Sequence, residues 1–321
     1  MRAVRLHRTG GPEVLQVDEL PVPEPGPGEA RVRVERAGLN FIDTYLRSGF
    51  YDPGSLPAVA GMEGAGTVEK LGPEVGDLAE GDRVAFFDAK GAYAEFVVHR
   101  AERLIPVPEG LDPEFAAALP LQGMTAHYLT RTIRPLGPGD TVLVHAAAGG
   151  VGHLAVQMAR LAGATVFGTC GAPEKAERLR ELGIERVIRY DEEDFVERVL
   201  EATDGRGVDL AIDGVGRATF LGSVRATRVR GHVILFGQAS GAPDPFRPRQ
   251  VLGSRTLTSA SLFDYARDRE ELLGRAGEVF GWALEGKLEV WIDRTLPLEE
   301  AGEAHRLLEG RRTSGKVLLR L

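Results

Sequence analysis

The chain has 321 residues, 43% hydrophobic and 27% charged, with a net charge of −8 at pH 7 and a pI near 5.5. That length supports two domains with separate cores, and the acidic balance excludes a general attraction to nucleic acid or an anionic membrane surface. One cysteine, Cys170, excludes an internal disulfide and a cysteine-rich metal site.

The opening MRAVRLHRTGG alternates charge and apolarity and lacks the apolar core of a signal peptide, so a cytosolic protein is expected. Up to about residue 120 the chain reads as short strands broken by Gly and Pro. VLQVDEL (14–20), ARVRVERAGL (30–39), GAGTVEKLG, GDRVAFF and GAYAEFVVHR (91–100) carry the strand character. PVPEPGPGEA (21–30) reads as a surface loop within this β-rich part.

From about residue 140 strands and helices alternate. TVLVHAA is a buried strand, VGHLAVQMARLAG (151–163) a helix, ATVFGTC a strand, and PEKAERLRELG (173–183) a helix opened by Pro173 and closed by Gly183. RVIRY (186–190), DFVERVLEATDG, VDLAIDGVG (208–216) and HVILFGQ (232–238) continue the series. Repeated βα units predict a doubly wound parallel sheet. After about 262 a helical stretch and a last strand, GKVLLRL (315–321), remain, placed to return to the β-rich part. Residues 141–159 contain no Asp, Glu, Lys or Arg, but His145, His153, Gln157 and a central turn exclude a membrane helix.

The turn in TVLVHAAAGGVG aligns with the dinucleotide fingerprint G-x-G-x-x-G as Ala147, Gly149 and Gly152. Gly149 lets the backbone approach a pyrophosphate, Gly152 lets helix pack on strand, and the helix N-terminus favours the anion. Alanine at the first position requires only that the turn there avoid a positive φ. NAD sites place an acid about 20 residues on, for the ribose 2′-hydroxyl; TCGAPEK (169–175) has Cys170 there. Without a carboxylate to repel a 2′-phosphate, NADP(H) is the expected cofactor. Lys175 can reach that phosphate or stand as a solvated helix lysine, and Tyr190 can flank the adenine. Lysine occurs only at 70, 90, 175, 287 and 316, which tilts the reading of Lys175 toward the phosphate.

The stretches HRTGGPEVLQV (7–17), GLNFIDTYLRSGFY (38–51), LPAVAGMEGAGTVEKLG (56–72), GDRVAFF, GAYAEFVV, HAAAGGVGHLAVQMARLAGA (145–164) and SGKVLLRL (314–321) cover nearly the whole length. Together they resemble the zinc-free, zeta-crystallin-like quinone oxidoreductases of the medium-chain dehydrogenase/reductase superfamily. The resemblance implies an α/β protein: a GroES-like β-rich catalytic domain (1–121), a Rossmann NADP(H)-binding domain (122–262) and a C-terminal segment (263–321) that returns to the first.

Zinc-dependent relatives carry a Cys ligand and a G-H-E motif where this chain has Asn40 and Met62, so a catalytic zinc would lack its soft and nitrogen ligands. The seven histidines show no ligand spacing, and no metal is expected. Without a Lewis acid for an alkoxide, hydride donation to an electrophilic acceptor remains.

The resemblance further implies that Asn40, Asp43, Tyr45 and Tyr51 form the catalytic region, with Asn40 and Tyr51 donating hydrogen bonds to a quinone oxygen. Packing or turn roles are the alternatives for these residues. Tyr45 and Tyr128 would lie by the nicotinamide, with Gly149, Gly150 and Val151 at the pyrophosphate, and Gly171 and Lys175 at the 2′-phosphate. Tyr190 would sit at the adenine, Phe236, Gly237, Ser259 and Ser261 on the nicotinamide side, and Arg311 at a further cofactor contact. Gly214 departs from the serine of close relatives. The expected reaction is NADPH-dependent quinone reduction; the alternatives are reduction of alkenals, enones or enoyl thioesters, and a structural or RNA-binding role with weak catalysis. The expected partners are a small quinone or enone and a second copy in a homodimer, with neither nucleic acid nor membrane.

Overall fold

The computed structural model describes residues 1–321 and divides into two compact units, Met1–Met124 with Ala266–Leu321, and Thr125–Tyr265. In chain order the elements are β1 (Arg2–Leu6), β2 (Leu15–Glu19), β3 (Glu29–Gly38), α1 (Phe41–Ser48), β4 (Ala58–Val59), β5 (Glu63–Leu71), β6 (Arg83–Phe86), β7 (Phe96–Arg100), β8 (Ile105–Pro106) and α2 (Pro113–Arg131). Then follow β9 (Thr141–Val144), α3 (Gly150–Leu161), β10 (Thr165–Cys170), α4 (Pro173–Glu181), β11 (Arg186–Arg189), α5 (Phe195–Glu201), β12 (Val208–Asp213), α6 (Phe220–Ala226), β13 (Thr227–Leu235), α7 (Pro248–Leu252) and β14 (Thr256–Ser259). The chain ends with α8 (Arg269–Leu284), β15 (Ile292–Pro297), α9 (Ala301–Glu309) and β16 (Lys316–Arg320).

In the first unit, β2-β1-β4 form one small sheet, and β15-β16-β3-β5-β6-β8, with β7 also on β3, form a larger one. Strand β16 runs antiparallel to β3, with Leu318 opposite Gly38, and this brings Lys316 beside the end of β3. Val32, Val34, Val68, Phe86, Val97 and Leu319 fill the core beneath it.

In the second unit all six strands are parallel, in the order β11-β10-β9-β12-β13-β14. Counted from β9 this is 3-2-1-4-5-6, the doubly wound arrangement with its switch point between the first and fourth strands, β9 and β12. The α/β architecture predicted from the alternating pattern is therefore present: one unit is β-rich and the other is built on a parallel sheet.

Two helices, α1 and α2, lie outside the strand-like stretches and are not predicted by the sequence pattern. Helix α2 is buried on almost every side, so it shows none of the amphipathic period that marks a helix, and Pro120 lies inside it. Helix α1 occupies only eight residues, capped by Asn40 and ended by Gly49 at φ 80°. Strand β7 takes only residues 96–100 of the predicted 91–100, because Gly91 turns the chain at φ 101°. No helix is long and apolar enough to cross a membrane.

Candidate active site

In the second unit the turn between β9 and α3 is closely packed and leads into an uncapped helix start. Helix α3 starts at Gly150 with no side-chain cap and no acid in its first turn, so its first N–H groups are open to an anion. A Cβ on Gly152 would stand 2.2 Å from the carbonyl oxygen of Ala146, and one on Gly149 3.1 Å from the same atom. The left-handed residue of the turn is Ala146, at φ 49°, whereas Ala147 has no positive φ; alanine therefore fits the first fingerprint position.

The floor of the turn is tied to the switch point. Asp213, fully buried at the end of β12, accepts from the N–H of Val215 (2.9 Å) and of Gly216 (3.0 Å). The Ser223 hydroxyl donates to Asp213 at 2.7 Å and faces His145 Nε2 at 3.0 Å, while His145 Nδ1 meets the Thr169 hydroxyl at 3.1 Å. Burial depresses the His145 pKa, so the imidazole stays a neutral link between β9, β10 and α6.

At the end of β10, Gly171 lies against Tyr190: a Cβ there would meet the phenol oxygen at 2.4 Å. Tyr190 remains 44% exposed, which leaves a ring face for a planar partner. Lys175 stands in the first turn of α4, half-buried, and Cys170 is buried where an acid would mark an NAD site. After β13, Phe236 packs over Gly214, where a Cβ would be 2.6 Å from the ring, and Gly237 backs onto the Gly214 carbonyl. Glycine at position 214 thus makes room for an aromatic ring. Ser259 and Ser261 are exposed at and just beyond the end of β14. Tyr128 is buried, stacked on Tyr265 at 4.5 Å between centroids and 4° between planes.

The first unit holds the residues expected to be catalytic, in two groups. Tyr45 and Tyr51 join Phe50 in an aromatic cluster, with centroids 5.2–5.3 Å apart; Tyr51 and Phe50 are exposed at 40% and 47%. The Phe41 ring lies 6.1 Å from that of Tyr45. Arg311 is exposed after α9 at φ 57°.

Asn40 and Asp43 belong to a different, buried group. Asn40 Nδ2 donates to Glu63 at 2.7 Å and to the Gly38 carbonyl at 3.3 Å, while its Oδ1 accepts from Lys316 Nζ at 2.9 Å and Gln122 at 3.0 Å. Both amide hydrogens are thereby engaged inside the protein, which corrects the expectation that Asn40 donates to a quinone oxygen. Glu63 also pairs directly with Lys316 and accepts the N–H of Leu121 at 2.6 Å. Pro120 explains that last bond, because its ring disturbs the helix ladder and leaves the next N–H free for a side-chain acceptor. Asp43 accepts from the Asn40 N–H at 2.8 Å and the Tyr93 hydroxyl at 3.3 Å.

Sequence reasoning missed Glu63, Tyr93, Gln122 and Lys316. The available signal was Lys316, one of five lysines, next to the apolar run VLL. No three His, Cys, Asp or Glu side chains group in a way that could hold a metal ion.

A family model described as alcohol dehydrogenase GroES-like domain matches residues 26–109, and one described as zinc-binding dehydrogenase matches residues 150–276. The chain is 43% identical to a quinone oxidoreductase of Pseudomonas aeruginosa over 97% of its length and 96% of the relative's. It is 41% identical to a 2-haloacrylate reductase of Burkholderia sp, over 99% and 98% of the two chains. Its fold superposes on Escherichia coli quinone oxidoreductase complexed with NADPH with a TM-score of 0.97, at 39% identity and complete coverage of both.

Proposed function

The chain belongs to the zeta-crystallin-like quinone oxidoreductases of the medium-chain dehydrogenase/reductase superfamily, and we propose that it transfers reducing equivalents from NADPH to a quinone. The observation that carries this reading is the glycine cradle at Gly149–Gly152 with no acid at Cys170, in a chain similar throughout to an NADPH-complexed quinone oxidoreductase. Bound NADPH supplies the reducing equivalents. The protein's part is to bind and orient it: the first N–H groups of α3, at Gly150 and Val151, take the pyrophosphate, with Gly149 admitting its close approach. Lys175 and Gly171 receive the 2′-phosphate, Tyr190 flanks the adenine, and Tyr128, Phe236, Gly237, Ser259, Ser261 and Arg311 complete the cofactor contacts.

Tyr45 and Tyr51 supply an aromatic surface and phenol donors for a flat, electrophilic acceptor, with Asp43 and Asn40 behind them in the same helix start. This division of labour goes with a catalytic domain of residues 1–121, completed by 263–321, and a cofactor domain of 122–262. The reading extends to a cytosolic homodimer, for which the edge strand β14 offers backbone pairing groups.

The 41% identity to a 2-haloacrylate reductase favours a second reading, reduction of an activated carbon–carbon double bond with the same cofactor. Steady-state kcat/KM for 1,4-benzoquinone, a 2-alkenal and 2-chloroacrylate ranks the two. Preference for the quinone is expected; a clear preference for either alkene reverses the order.

A further inference from the structure

The buried group around Asn40 poses a problem of charge. Two carboxyls, Asp43 and Glu63, and one ammonium, Lys316, are enclosed together at 4%, 0% and 1% exposure. If all three were ionised, a net negative charge would be sealed in the protein, at a high cost in solvation. One carboxyl must therefore hold a proton or find another cation.

The hydrogen bonds identify which. Glu63 has both oxygens engaged, by Lys316, Asn40 Nδ2 and the Leu121 N–H. Asp43 uses only Oδ2; its Oδ1 is buried with no hydrogen-bond partner. No cation bonds it directly: Lys316 is committed to Glu63 and Asn40, and Arg47, on the same helix, to Glu309 and the Gly10 carbonyl. The remaining titratable neighbours are Tyr93, which donates to Asp43, and His305 of α9, whose ring meets Tyr93 edge-on at 6.1 Å. Gln122 of α2 is neutral and bonded to Asn40.

We propose that Asp43 is a proton-exchanging carboxyl of the first unit and that the Glu63–Lys316 ion pair, acting as a positioning pair, sets whether it is charged at neutral pH. Burial pushes the Asp43 pKa up to about 7, against the lowering effects of the Asn40 N–H and of Lys316, with Glu63 raising it. Gly38 keeps the group closed, since a Cβ there would lie 2.5 Å from Glu63 Oε2 and 2.7 Å from Lys316 Cε. The inference rests on the proposed function only in treating this cluster as part of the catalytic region.

The test is a carboxyl titration by NMR on the intact protein labelled with 13C-aspartate, without cofactor or acceptor, with Asp43 assigned from D43N. A signal titrating near neutrality, absent in D43N, is expected. E63Q removes the negative member and leaves Lys316 unopposed, so the Asp43 midpoint should fall by about one pH unit or more. Y93F removes a donor to the carboxylate and should raise it, as should K316M; if K316M does not fold, E63Q and Y93F still give shifts of opposite sign. An Asp43 midpoint in the ordinary carboxylate range, or shifts of the same sign in E63Q and Y93F, overturns the proposal. Because nothing in this titration involves turnover, a failure of the quinone reading is seen separately.

Discussion

Gly152 presses its α-carbon against the backbone of Ala146, so closely that a methyl group there would fall 2.2 Å from the Ala146 carbonyl oxygen. The contact seats helix α3 on strand β9 and sets where its N-terminus points. Gly152→Ala must push the helix away from the turn, at a cost of about 1–3 kcal/mol for overpacking. A lower thermal midpoint together with NADPH binding weakened by tenfold or more is expected, read by differential scanning fluorimetry and isothermal titration. An unchanged affinity would show that the turn does not hold the pyrophosphate.

The proposed function makes Lys175 the residue that selects NADPH over NADH. Loss of one charge-assisted contact to a phosphate is worth about 1.5–3 kcal/mol. Lys175→Ala should therefore raise the Kd for NADPH by roughly ten- to a hundredfold and leave the Kd for NADH nearly unchanged. Equal losses for both cofactors would remove the 2′-phosphate role.

Asn40 is the hub of the buried polar group, bonded to Glu63, Lys316, Gln122 and Gly38. Asn40→Ala strands an ion pair and a glutamine in a dry interior, and a stability loss of about 2–4 kcal/mol is expected in urea unfolding. Asn40→Asp adds a charge beside Glu63 and should be no milder. A loss below about 0.5 kcal/mol, the size of an ordinary surface effect, would contradict the network.

Acid sensitivity has a defined sign. Burial pushes the His305 pKa down to about 3, with the Arg47 charge adding to it, and burial brings His153 down to about 4. Both stay neutral in the folded protein while the unfolded chain takes up protons below about pH 6.5. Their contribution is intact above that pH and is lost as the pH falls toward the folded values, at about 1.4 kcal/mol per pH unit per histidine. Asp43, held up to about 7, works in the opposite direction between its unfolded value and neutrality. The clean comparison is therefore wild type against His305→Leu, by denaturant unfolding at pH 7.5 and 5.0. The variant should lose less stability on acidification; parallel losses would contradict the assignment.

The cofactor unit was legible because its signals are local. TVLVHAAAGGVGHLAVQMARLAG states a strand, a turn and a helix within one window, and Pro173 and Gly183 bracket the next helix. Helix α2 was not legible, because burial on all sides erases the period and Pro120 argues against a helix. The Asn40 network was hidden for another reason. Glu63 and Lys316 are 253 positions apart in sequence, and only the antiparallel pairing of β16 with β3, and of β3 with β5, brings them together. A family resemblance could point at Asn40, but its role depended on which atoms its amide meets.

Quinone reduction by this protein is measured by following pyridine-nucleotide oxidation at 340 nm with the purified protein and 1,4-benzoquinone, using NADPH and NADH in parallel. Quinone-dependent NADPH oxidation is expected, with a kcat/KM at least tenfold above that for NADH, abolished for neither cofactor by a chelator. NADPH that binds but is not oxidised by any quinone, or oxidation that prefers NADH, would contradict it.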